Sequence, residues 1–157
     1  MLLGYESCPV GKGHEAGRKL LQRLYEQYTG SPMPPILTTD RGKPYFADSP
    51  VFFSISHTKD RVFCVLSHKQ VGLDAEKQDR KIDLALAEKI LSDREKQRWD
   101  AQPDKRAALL KLWVLKEAQA KLTGLGLQGY PNHTDFDPED PRVRIIEDCY
   151  VAVLEQE

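Results

Sequence analysis

The sequence lacks most of the features that would assign it at a glance. An excess of one charge is missing: 23 Lys and Arg stand against 24 Asp and Glu, for a formal net charge of -1. General nucleic-acid binders show a basic surplus, so no nucleic-acid partner is expected. Cysteine is scarce. Cys8, Cys64 and Cys149 are far apart and form no CxxC pair, which leaves no ground for a zinc centre or a disulfide framework. No apolar run nears the ~20 residues of a spanning helix, and the opening "MLLGYESCPVGKGHE" turns polar too early for a secretory core. The expectation is a reducing, cytoplasmic setting without membrane contact. Absent too are a solenoid-period repeat, a low-complexity tract and a Walker-type phosphate loop.

What is present is an ordinary globular composition, 40% hydrophobic and 30% charged, in 157 residues. That length suits one compact domain with its own core. Residues 13–29, "GHEAGRKLLQRLYEQYT", space Ala16, Leu20, Leu24 and Tyr28 as an amphipathic helix that stops at Gly30. The prolines of "SPMPP" then enforce a loop. "RGKPYF" reads as a turn into a short extended piece, and Val51 to Ser56, Val62 to Leu66 and Gln70 to Glu76 read as three strands of an antiparallel meander. A helical pattern covers Ile82 to Ile90, and Ser92 with Glu95 forms a capping-box signature for another short helix. The longest helix is predicted from about Lys105 to Thr123, ended by Gly124, and "VRIIEDCYVAVLE" gives closing strands. Sheet and helix without regular alternation predict an α+β fold.

Three segments carry chemistry. In "VGLDAEK" (71–77), strand alternation puts Gly72, Asp74 and Glu76 on one face and Leu73 and Ala75 on the other. Two carboxylates so placed suit Mg2+, which commonly sits between one or two acids and substrate phosphates; a solvated sheet face with ordinary acids is the alternative. In "LWVLKEAQAKLTGLGL" (112–127), Trp113, Glu117 and Lys121 fall along one helical face. That carboxylate could join the other two and the ammonium could meet a phosphate oxygen, or the pair could be a plain surface salt bridge. In "FSISHTKDR" (53–61), Ser56 and His57 close an apolar strand. His57 could donate to an anion or lie solvated in a turn, and adjacency to Ser56 does not make a nucleophilic dyad.

In order and spacing, "GKPYF", "FSISHT", "VGLDAEK" and "WVLKEAQAKLTGLGL" resemble the 4'-phosphopantetheinyl transferases of the surfactin type over residues 41–127. That family carries a GKP element, an SH element after a strand, a G-x-D-x-E strand and a W-x-x-K-E-x-x-x-K helix. The resemblance implies pseudo-twofold α/β halves with antiparallel sheet and a long packed helix. Residues 1–157 would be a single domain, with 1–68 a shortened first half and 69–157 the second. It implies coenzyme A as co-substrate, Mg2+ as cofactor, and an apo acyl or peptidyl carrier protein whose serine accepts the phosphopantetheine while 3',5'-ADP leaves.

By motif, Asp74, Glu76 and Glu117 would hold the metal with the pyrophosphate, and Lys121 would touch the same phosphates. Lys43, Ser56 and His57 would face the 3'-phosphate and adenylate end, with Lys116 a further phosphate contact. Glu117, directly or through a water on the metal, would be the base. Lys12, Arg18, Lys19 and Arg23 are candidates for coenzyme contact or simply a solvated helix face. "LTGLGLQGYP" (122–131) is a candidate carrier surface or a packed helix stop. A monomer is expected, because acid strand and acid helix share one chain. Two other classes remain open: a non-catalytic coenzyme A-binding or partner-binding domain on the same fold, and an unrelated magnesium-dependent nucleotide hydrolase.

Overall fold

Two long helices end where glycine ends them. The computed structural model describes residues 1–126 and 134–157. In it α1 spans Gly13–Thr29 and α4 spans Lys105–Thr123, with Gly30 and Gly124 in the left-handed conformation at their C-termini. That conformation costs a residue with a Cβ roughly 1 kcal/mol or more, so the helices stop at these positions. Between them lie α2 (Ala87–Ile90), entered through a short 3-10 turn at Leu84–Leu86, and α3 (Asp93–Asp100). The capping box expected at Ser92 and Glu95 is formed in full: Ser92 Oγ accepts from Glu95 N, and Ser92 N donates to Glu95 Oε1.

The strands are β1 (Leu2–Ser7), β2 (Ile36–Thr38), β3 (Pro44–Phe46), β4 (Phe52–His57), β5 (Arg61–Ser67), β6 (Val71–Lys77), β7 (Val143–Ile146) and β8 (Cys149–Glu155). One sheet has the order β1-β5-β4 and another β6-β8-β7, every pairing antiparallel, while β2 and β3 form a separate hairpin. Each larger sheet thus belongs to the same plan: a strand, a long helix, then a hairpin whose second strand returns to the centre. This is an α+β fold with two pseudo-equivalent halves.

The structure corrects the expected meander. β6 does not pair with β5; it starts the second sheet and takes β8 as its partner, Asp74 opposite Ala152. β1, which sequence reading left unassigned, fills the vacant edge of β5. Pairing over such sequence distances is decided by tertiary packing, and the short Ser67–Val71 connection only mimics a hairpin.

α1 buries Leu20, Leu21, Leu24 and Tyr25 against Val62, Cys64 and Leu66. α4 buries Leu109, Leu110, Leu112 and Leu115 with Ala152 and Leu154. Each such leucine contributes about 2 kcal/mol of burial. Between the sheets lies a third cluster with Phe63, Val65, Leu73, Ala75 and Val151. At this seam no ladder joins β4 to β6. Serine side chains do the work: Ser54 Oγ accepts from Leu73 N at 3.0 Å and Ser56 Oγ from Ala75 N at 3.1 Å. Alternation along β4 explains the pattern, since Phe53 and Ile55 face α1 while the two serines face β6.

Candidate active site

At the seam, β6 and α4 approach more closely than side chains permit. A Cβ on Gly72 would lie 2.0 Å from the Ala118 carbonyl oxygen and 2.6 Å from Leu122 N. Only glycine fits, and its absence of bulk lets the strand face carrying Asp74 and Glu76 lie beside the helix face carrying Trp113, Glu117 and Lys121. All five line one cleft of about 390 Å3, together with Ser56, His57 and Arg80. The three carboxylates singled out from sequence spacing therefore share a cleft.

Two of the three carboxylates are paired within the chain. Asp74 is buried; its Oδ1 accepts from Lys121 Nζ at 3.1 Å and from Ser56 Oγ at 3.2 Å. Glu76 pairs with the Arg80 guanidinium, whose Cζ sits 5.9 Å from the centre of the Trp113 ring. Among the described residues no three His, Cys, Asp or Glu side chains stand together as a ready metal cage. Burial pushes the carboxyls of Asp74, Glu76 and Glu117 up. Repulsion from Asp74 adds to this at Glu76 and Glu117, while Lys121 pulls Asp74 down and Arg80 pulls Glu76 down. Asp74 Oδ2 is buried without a hydrogen-bond partner. A buried anionic oxygen left alone costs several kcal/mol, so this donor set suits a hard cation.

A second cleft of about 450 Å3 adjoins the first and shares Ile55, His57, Glu117 and Lys121 with it. Its lining adds His14 and Arg18 from α1, and Arg41 and Lys43 from the β2–β3 hairpin. Against one acid this is a cationic basin, matched to a multiply charged anion. His57 is seated because residue 13 is glycine: a Cβ there would meet the imidazole at 2.5 Å. Lys43 Nζ donates to Gln70 Oε1 at 2.8 Å and to the Leu122 carbonyl at 2.6 Å, at the C-terminal end of α4 where a cation is favoured. Burial lowers its pKa.

Other expectations fare differently. Lys116 lines neither cleft. Its Nζ is 2.8 Å from Glu95 Oε1, with side-chain exposures of 4% and 0%; one residue along a helix turns about 100°, so aiming Glu117 at the cleft aims Lys116 into the core. Of the candidates Lys12, Arg18, Lys19 and Arg23, Arg18 alone lines either cleft; Lys19 pairs with Glu15 and Arg23 with Glu6. Of the candidate surface 122–131, residues 127–131 lie outside the described residues. Sequence reading missed Arg80, Arg41 and His14. Only the four-residue step from Glu76 to Arg80 and from His14 to Arg18 hinted at them.

Comparison with known proteins joins this geometry to a family. A model of the 4'-phosphopantetheinyl transferase superfamily matches residues 70–148, which hold β6, α4 and β7. The chain is 37% identical over 116 residues to 4'-phosphopantetheinyl transferase psf-1 of Bacillus pumilus, covering 71% of this chain and 49% of that protein. It is 32% identical over 116 residues to 4'-phosphopantetheinyl transferase gsp of Aneurinibacillus migulanus, covering 71% and 48%. With 4'-phosphopantetheinyl transferase AcpT of Escherichia coli (strain K12) it shares 35% over 127 residues, covering 76% and 63%. The chain belongs to the 4'-phosphopantetheinyl transferase superfamily. It spans about half the length of the first two of these relatives.

Proposed function

We propose that this chain transfers the 4'-phosphopantetheine group of coenzyme A to a serine of an apo acyl or peptidyl carrier protein, releasing 3',5'-ADP. The observation that carries the reading is the shared cleft of Asp74, Glu76 and Glu117 beside a cationic basin. In it, residues 1–68 and 69–157 work as two halves of one domain, and a monomer suffices because both acid-bearing elements are on one chain.

Asp74, Glu76 and Glu117 would hold Mg2+, a fit supported by the orphaned oxygen of Asp74. When bound, the ion would polarise the diphosphate and offset its negative charge. The chain's own groups do the rest. Lys121, at the shared rim of both clefts, binds diphosphate oxygens. His57, Lys43, Arg18, Arg41 and His14 orient the 3'-phosphate and adenylate end, and Ser56 holds Asp74 in place rather than touching substrate. Glu117, half-buried with its pKa raised, accepts the carrier serine's proton as that oxygen attacks the β-phosphorus; the leaving phosphate keeps the electrons of the broken P–O bond. No nucleophile is needed on this chain.

Among the described residues no helix is long and apolar enough to cross a membrane. We infer a cytoplasmic location, a reading supported by the three cysteines being free and buried. The test is to mix the protein with apo carrier protein, coenzyme A and Mg2+ and follow the carrier by intact mass. A phosphopantetheine increment is expected. No increment on several carriers, with coenzyme A still bound, would make the domain a binding module instead.

A further inference from the structure

Among the described residues Arg80 is the one guanidinium lining the carboxylate cleft, and two features show that its position is built. The turn after β6 that carries it is closed by Arg80 N donating to the Lys77 carbonyl at 3.0 Å. The same turn is clamped from α4, because Arg106 Nη1 donates to the carbonyls of Gln78 at 2.6 Å and Arg80 at 3.2 Å. The backbone is thereby anchored, while the side chain, 43% exposed, spans from Glu76 to the face of Trp113. Glu76 is only 21% exposed. A half-exposed ion pair of this kind is readily broken, whereas the clamped turn keeps the guanidinium within reach of the cleft after the pair parts. Lys121 likewise pairs with Asp74, at 3.1 Å.

On the reading of the cleft as a divalent-cation and coenzyme A site, we propose that Arg80 is a displaceable counter-charge. It occupies Glu76 in the free chain and transfers to a diphosphate oxygen when a cation takes the carboxylate. A cation arriving alone must displace Arg80 with nothing offered in return. A cation arriving with the diphosphate gives the guanidinium a bidentate acceptor. The two ligands therefore bind cooperatively, and by linkage each raises the affinity of the other equally. The planar fork and the stack on Trp113 make arginine the suited residue, since lysine presents a point charge.

The test uses the full chain and Mn2+ as probe, with free Mn2+ read by electron paramagnetic resonance in the absence and presence of coenzyme A. For the unaltered protein, coenzyme A is expected to tighten Mn2+ binding at least about fivefold. In R80M, Mn2+ alone should bind about 2- to 5-fold more tightly, and the tightening caused by coenzyme A should shrink by at least that factor. R80K should recover part of the coupling, which a merely structural effect would not do. If R80M keeps the full coupling, the role of Arg80 is overturned and the site reading stands. If coenzyme A changes Mn2+ affinity in neither protein, the site reading falls and the counter-charge with it.

Discussion

The two halves share one plan and spend it differently. Among the described residues, the buried polar side chains are the serines 54, 56 and 67 in the half built on β1, β4, β5 and α1, and Asp74, Glu95 and Lys116 in the half built on β6, β7, β8 and α4. The first half presents cations to the clefts and the second presents carboxylates, with Arg80, Lys121 and Trp113 beside them. The glycines differ in the same way. Gly4 on β1 makes room for the tip of Leu24, which a Cβ would meet at 2.7 Å, whereas Gly72 on β6 makes room for the backbone of α4 itself, at 2.0 Å. One scaffold thus gives a yielding contact in the first half and an unyielding one where the acids converge.

The sharpest way to break this division is at Glu117. E117Q keeps the shape of the side chain but removes its charge, so transfer to the carrier should fall about 10²- to 10⁴-fold while the thermal midpoint stays within a few degrees. Near-full activity would remove Glu117 from the role of base.

Next in size is the buried ion pair. K116M would leave Glu95 charged in the core, where its carboxylate also accepts from Ser92 N and Phe136 N, and should cost about 3–5 kcal/mol in urea unfolding. R23M, breaking an exposed pair in the first half, should cost less than about 1 kcal/mol. Equal costs would erase the contrast between the halves.

The glycines sharpen it further. G72A should destabilise by on the order of 3 kcal/mol and weaken Mn2+ binding, because α4 must move away from the strand. G4A should cost about 1 kcal/mol, because a leucine can rotate. The smallest effect is at the thiols. Burial pushes Cys64 and Cys149 up to about 12, so both should react with a thiol reagent no faster in the native protein than global or local opening allows.

Legibility in the sequence followed the range of the interactions involved. α1 and α4 were readable almost to the residue, because an apolar period and a glycine stop are local signals. The site's acids were readable for the same reason, through the i, i+2 step of Asp74 and Glu76 and the i, i+4 steps from Trp113 to Lys121. What could not be read was which strand pairs with which. β6 leaves β5 for β8 because apolar packing between two sheets, not turn chemistry, sets that choice. Arg80 and Arg41 escaped because their reach depends on how distant elements clamp a turn. Lys116, expected as a phosphate contact, turns into the core to Glu95, and helical phase alone separates it from Glu117. A motif names neighbours together; the helix sends them to opposite destinations.

The most direct measurement is the anomalous scattering of Mn2+ in crystals grown with coenzyme A. The account predicts one peak at about 2.1 Å from carboxylate oxygens of Asp74, Glu76 and Glu117, with the diphosphate completing the shell. A peak elsewhere, or an ion held by phosphates with these side chains turned away, would contradict it.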